Sequence, residues 1–273
     1  MILWEPLVAV LIWGAAYPSI KLGVSEFPPF LFMALGLGLG SLCIQLFSGR
    51  FAFNLSKFSK GKLLNAVLAQ AAFQVVFVFG LKLTSASTSA ILLATSPLMV
   101  AFWLYIKEKQ KIKWQSLLLG FIGVCLVINT HNAQNSLIGN LLAFASAINW
   151  AWYSLAIKSP IQETDEYSAT SLIMFIPALF FGLISAFTES FDFWQNISFK
   201  GYAGLFYHAF ISLPIGMLLW NKGLSKFGAN RVIVYTYLEP FIASLLAIFL
   251  IGETLNVSQI VGGILTLLAI SFA

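Results

Sequence analysis

The chain has 273 residues, 59% of them apolar and only 9% charged, against about 25% charged in an ordinary soluble domain. A solvated surface cannot be built from that composition, so soluble enzymes are excluded. The net charge of +5 is spread in short clusters beside apolar stretches, which excludes a nucleic-acid-binding domain and leaves membrane orientation and contact with anionic lipid as its roles.

Ten apolar stretches are predicted as membrane-spanning helices: 2 to 22, 28 to 47, 63 to 81, 87 to 106, 114 to 130, 137 to 157, 168 to 188, 202 to 221, 230 to 250 and 255 to 272. About 20 apolar residues cross the ~30 Å hydrocarbon layer, and the connections are too short to hold a soluble domain. The first stretch begins almost at Met1, lacks a basic leader and outruns a signal-peptide core, so it reads as a retained span. Trp13 lies near its middle with Tyr17 one turn on, and Lys21 at its end is expected to snorkel to the interface. Gly36-x-x-x-Gly40 in the second stretch allows close helix packing, within the chain or against another protomer.

Gln70 and Gln74 fall one turn apart in the third stretch and share a face; each amide needs a partner there, from a cavity or from a neighbouring helix. Pro97 in the fourth removes a backbone donor and predicts a kink. In the sixth stretch Trp150 again stands mid-span, followed by Tyr153, with Lys158 at the end. The acidic run Glu163, Asp165 and Glu166 reads as a solvated turn. His208 in the eighth could relay protons, since an unperturbed imidazole titrates near neutrality, or could simply pack. Pro18, Pro177 and Pro214 are assigned helix shape only.

The ninth stretch carries the sharpest feature. Glu239 lies about ten residues in, near the bilayer midplane, where an ionised carboxylate costs roughly 2.5 to 3.5 kcal/mol. It must face protein or water. It is either a cavity group that binds a cation or exchanges protons with transport, or a hydrogen-bonded structural carboxylate beside the kink at Pro240. Tyr235 and Tyr237 precede it, and with Trp13, Tyr17, Trp150 and Tyr153 they could surround a planar or cationic substrate. Trp4, Trp114 and Trp194 fall at span ends and read as interfacial anchors.

The halves resemble each other. Gly80, Leu81, Ala86, Pro97 and Gly120 align without gaps on Gly223, Leu224, Ala229, Pro240 and Gly263, and the Trp13 to Lys21 interval recurs from Trp150 to Lys158. A five-span repeat enters the membrane from the opposite side in its second copy, so the prediction is an all-α membrane protein of ten transmembrane helices built as two inverted five-helix repeats, residues 1–132 and 133–273. With the N-terminus cytoplasmic, the inner loops collect twelve basic residues and the outer loops only Lys21, Lys82 and Lys200. Both termini are then cytoplasmic.

Ile12-Trp13-Gly14 with Lys21, Tyr237-Leu238-Glu239-Pro240, and Gly252-Glu253-Thr254-Leu255 followed by Gly262-Gly263 carry a resemblance to the drug/metabolite transporter superfamily, in its EamA-type branch of ten-helix proteins. The first copy departs from the pattern, with Gln110 at the position matching Glu253. The resemblance implies a secondary transporter of small organic metabolites, often an exporter, with a central cavity lined mainly by helices 1, 3, 4, 6, 8 and 9.

The expected function is alternating-access transport of amino acids or related amphiphilic compounds across the cell membrane. Trp13, Tyr17, Gln70, Gln74, Trp150, Tyr153, Tyr235, Tyr237 and Glu239 are the candidate substrate contacts, Glu239 and His208 the proton-coupling candidates, and Pro97 and Pro240 the hinges. Cys43 and Cys125 have no ligand-like spacing and His131 and His208 stand alone, so no metal or other cofactor is expected, and partners reduce to solute, lipid and a possible second copy. An integral-membrane enzyme acting on lipid-linked substrates and an accessory scaffold subunit remain the alternatives. No nucleotide-binding loop is present, so energy comes from a gradient or from exchange.

Overall fold

The computed structural model describes residues 2–49, 55–109, 113–128, 136–190, 192, 196–252 and 257–271. Gln110, His131, Trp194, Glu253 and the side chain of Cys125 lie outside the described set. The described residues are all-helical: α1 (Trp4–Glu26), α2 (Pro29–Ser48), α3 (Lys60–Leu83), α4 (Ala86–Leu93), α5 (Ser96–Glu108), α6 (Trp114–Ile128), α7 (Leu137–Ala156), α8 (Lys158–Glu163), α9 (Glu166–Thr188), α10 (Phe199–Tyr207), α11 (Met217–Phe227), α12 (Ala229–Val232), α13 (Glu239–Ile251) and α14 (Val257–Ser271). A π-helical segment, His208–Gly216, joins α10 to α11, and a 3-10 segment, Ile233–Leu238, joins α12 to α13.

Among the described residues, seven helical stretches are long and apolar enough to cross a membrane: α1, α2, α3, Ala86–Lys107, α9, Phe199–Phe227 and Ala229–Ile251. The distribution of polarity is that of a protein dissolved in lipid. Phe47, Phe187, Phe199 and Phe249 are between 77% and 87% exposed, while Gln70, Gln74, Asn221 and Glu239 are buried. Water around such a surface would be strongly unfavourable, whereas hydrocarbon is indifferent to it.

Prolines break the helices where their chemistry requires. Ser96-Pro97 opens α5 after a break at Ala94 and Thr95, and Glu239-Pro240 opens α13 after the 3-10 segment. Pro214 lies inside the π-helical segment, where its missing N–H and ring crowd the preceding turn. The layout repeats along the chain. α5 and α13 both have 13 residues, both carry proline in the first turn, and both end on a left-handed cap, Lys109 and Gly252, whose N–H bonds back to Leu104 and Ala247. α6 and α14 both have 15 described residues.

Contacts follow the same pattern. α3 packs on α7 as α10 packs on α1; α4 and α5 pack on α7 as α13 packs on α1; α2 meets α9, and α6 meets α14. Exchanging the halves maps each of these pairings onto another or, for α2 with α9 and α6 with α14, onto itself.

Carboxylates fasten helix ends that lipid cannot satisfy. Glu189 accepts from the N–H groups of Phe30 and Leu31 at the start of α2, both at 2.9 Å. Glu26, ending α1, accepts from the Ser198 N–H at 2.6 Å, where α10 begins. The acidic run is more than a solvated turn. Asp165 caps α9 through Tyr167 and Ser168, and Glu163 accepts from the Ser59 N–H and the Lys62 ammonium at the start of α3. Those two donors, the backbone N–H first, hold the Glu163 carboxyl below the usual range. Lys21 does not snorkel outward: its ammonium donates to the carbonyls of Leu81, Lys82 and Thr84 at 2.7, 3.0 and 2.7 Å, closing the C-terminus of α3. Trp4 and Trp114 are 55% and 58% exposed at helix starts, as interfacial anchors are.

α3 and α7 approach closely because glycine faces backbone at the crossing. A Cβ on Gly80 would stand 2.8 Å from the Ala143 nitrogen, and one on Gly139 would stand 2.6 Å from the Leu83 carbonyl carbon. Gly80→Val is expected to destabilise the protein by about 1 to 3 kcal/mol through overpacking. Gly61→Ala, which meets open space on the same helix, leaves stability equal or slightly higher. Thermal unfolding of the two variants in detergent checks the pair, and equal midpoints would remove the tight crossing.

Candidate functional site

A chamber lies inside the bundle where α1, α3, α7, the π-helical segment and the start of α13 converge. Its lining includes Trp13, Tyr17, Gln74, Trp150, His208 and Glu239. Helical spacing accounts for the convergence: Trp13 and Tyr17 stand one turn apart on α1, and Glu239 begins α13 at the point where the broken ninth stretch resumes α-helical geometry.

The Tyr17 hydroxyl donates to Glu239 Oε2 at 2.9 Å, and Glu239 Oε1 is buried with no hydrogen-bond partner. The Gln74 carbonyl oxygen and the Trp150 indole N–H are also buried and unpartnered. Unmet polar atoms in a buried chamber cost about 1 to 3 kcal/mol each unless something fills the space. His208 stacks on Phe32 at 5.1 Å between ring centroids, with neither ring nitrogen bonded.

Aromatic faces make the rest of the wall. Trp13 meets Trp150 edge-on at 5.0 Å, and both meet Trp220, at 5.2 and 5.4 Å. Phe73 packs on Trp150 at 4.9 Å, and Phe77 meets Tyr17 at 5.6 Å. The Trp13 indole donates to the Ser212 carbonyl at 3.0 Å, within the π-helical segment. The free volume of the chamber is about 40 Å³. That is room for a few water molecules and far below the several hundred Å³ of an open small-molecule pocket.

Sequence reasoning overlooked Trp220, Phe73, Phe77 and Ser212. Phe73 and Phe77 were legible, since they fall with Gln70 and Gln74 on one helical face. Four candidates stand back from the chamber. Gln70 is fully buried beneath the lining, with both amide atoms unpartnered. Tyr153 stacks under Trp150 at 5.3 Å and accepts from Asn221 Nδ2 at 2.9 Å, which also donates to Thr170. Tyr235 accepts from the Leu3 N–H at 2.9 Å, tying down the start of α1, and Tyr237 lays its ring against Gly120 of α6. Pro97 and Pro240 mark helix breaks. Gly36 and Gly40 face His208 and Met174, so this glycine pair serves packing within the chain. Among the described residues no three His, Cys, Asp or Glu side chains gather as metal ligands.

A double-mutant cycle tests the central hydrogen bond. Tyr17→Phe leaves both carboxyl oxygens unmet and is expected to destabilise by about 1 to 3 kcal/mol. In a Glu239→Leu background, which has no acceptor for the Tyr17 hydroxyl, the same change costs measurably less, giving a coupling of about 1 kcal/mol in thermal or denaturant unfolding. Additive effects would mean that the two side chains do not interact.

A family model described as the EamA-like transporter family matches the chain twice, over residues 2–129 and 137–273. The uncharacterized transporter YyaM of Bacillus subtilis (strain 168) is 26% identical over 269 residues, covering 94% of this chain and 88% of that protein. A "Probable amino-acid metabolite efflux pump" of Salmonella typhimurium (strain LT2) is 27% identical over 269 residues, covering 95% of this chain and 90% of the pump. One solved crystal structure shares the fold with a TM-score of 0.79 at 16% identity, covering 99% of this chain and 95% of that one. The chain belongs to the EamA-like transporter family and is a multi-pass membrane transporter, not an enzyme.

Proposed function

We propose that this EamA-like transporter is a secondary carrier that exports amino acids or related amphiphilic metabolites across the cell membrane by alternating access. Ten transmembrane helices form two inverted five-helix repeats, residues 1–132 and 133–273, with both termini in the cytoplasm. The matched lengths and caps of α5 and α13, the exchangeable pairings of the halves and the asymmetry of basic residues support this organisation.

The observation that carries the mechanism is the chamber. A carboxyl, an amide and two indole rings, with a third indole packed against both, meet at the seam between the halves around a volume of about 40 Å³ that no metabolite fits. Solute enters only when the halves separate on one side, and a mirrored separation on the other side releases it. The breaks at Pro97 and Pro240 are the points where α5 and α13 swing. Trp13, Tyr17, Gln74, Trp150 and Glu239 contact the solute, and Gln70, Tyr153, Tyr235 and Tyr237 hold the wall behind them. Glu239 takes up a substrate ammonium or a proton through its free Oε1, and the Tyr17 hydroxyl holds its orientation.

Purified protein alone in liposomes is expected to move one or more amino acids or amines from a metabolite panel, with a rate that responds to an imposed pH gradient. Glu239→Gln removes the gradient response while the protein remains folded. Flux of unchanged proton dependence in that variant would eliminate the coupling role. Absence of flux across the panel would eliminate the substrate class.

A further inference from the structure

A second cavity lies at the end of the bundle where α1 begins. The location follows from Lys226, next to this cavity on α11, whose ammonium bonds Glu5 of α1 at 2.5 Å. The space is bounded by the last turns of α5 and α7 and by the junction of α11 and α12, and Trp103, Ser154, Lys158, Phe227, Asn230 and Arg231 line it. Its volume is about 410 Å³, some ten times that of the central chamber and within the usual range for small-molecule sites.

The chemistry of this lining is one-sided. Two cations, Lys158 and Arg231, border the cavity, and among the described residues its lining includes no carboxylate. Neither cation forms an ion pair or hydrogen bond among the described residues. The Ser154 hydroxyl is buried and has no partner, so a donor stands unused beside the two charges. The apolar part of the wall comes from Trp103, Leu104 and Phe227, and Trp103 is 52% exposed on the bundle surface, which places lipid at the cavity edge. Trp150, Ser154 and Lys158 follow one another at four-residue steps, a single stripe running about 12 Å from the central chamber to the cavity.

We infer that this cavity binds the anionic group of an amphiphile, a carboxylate or a phosphate. Lys158 and Arg231 neutralise the charge, with the arginine giving paired donors to two oxygens, and the Ser154 hydroxyl donates to the same group. The short apolar part of the ligand lies on Trp103 and Phe227. Two sources share this chemistry: a dissolved organic acid and the headgroup of an acidic phospholipid.

Calorimetric titration of the full-length protein in phosphatidylcholine nanodiscs tests the site, with octyl phosphate and sodium octanoate as anionic probes and octyltrimethylammonium as the cationic control. The anions are expected to bind, more weakly as salt is raised, and the cation is not. The double variant Lys158→Gln/Arg231→Gln loses at least about tenfold in anion affinity. Both side chains are exposed, so its thermal midpoint is expected to match the parent, and the single variants are read separately if it does not. Native mass spectrometry after reconstitution with phosphatidylglycerol separates the sources. Retention of that lipid by the parent and its loss from the double variant assign the site to lipid, while octanoate binding without lipid retention assigns it to a dissolved acid. Anion affinity unchanged in the variants, or equal binding of the cation, overturns the inference.

Discussion

Tyr17 and Glu239 are separated by 222 positions along the chain and joined by one hydrogen bond of 2.9 Å. The bond spans the seam between α1 and the broken ninth stretch, and it is the reason a carboxyl can stand inside an apolar bundle. Lipid supplies no donor to such a group, so the protein must. Everything around it follows from that demand: aromatic faces exclude hydrocarbon, the π-helical segment turns the Ser212 carbonyl toward the Trp13 indole, and the break before Pro240 lets α13 begin at Glu239.

The ends of the bundle obey the same rule in a different form. In water, the first N–H groups and last carbonyls of each helix would be solvated; here side chains from other helices meet many of them. Glu26, Glu163 and Glu189 each reach a helix start on a different element, and Lys21 reaches a helix finish. These contacts are polar, few and placed at the rims. Each is a contact that water can replace, unlike the glycine crossing of α3 and α7, where backbone meets backbone.

Much of this was legible from residue order. Apolar stretches gave the helix positions because lipid imposes a length on them, and Pro97 and Pro240 gave the breaks because a missing donor acts locally. Glu239 was conspicuous since its cost in hydrocarbon is visible without coordinates. Partners were not legible. Which way Tyr235 and Tyr237 point depends on a 3-10 segment whose pitch differs from that of an α-helix, so one faces α1 and the other α6. Trp220 escaped notice because its face is defined only after nine π-helical residues have reset the phase of α11. Lys21 was expected outside because snorkelling is the usual fate of a terminal lysine; the open carbonyls of α3 lay closer.

The packed indoles also bear on how the protein stands in the membrane at rest. A continuous file of water through the bundle would short-circuit the potential on which a gradient-driven carrier depends, since each charge crossing 100 mV dissipates about 2.3 kcal/mol. The ring centroids of Trp13, Trp150 and Trp220 lie within 5.4 Å of one another, with Trp13 and Trp150 in the chamber wall and Trp220 fully buried against both. Indoles packed this closely present apolar faces to one another and hold no water between them, which is what a carrier driven by a gradient would require at rest.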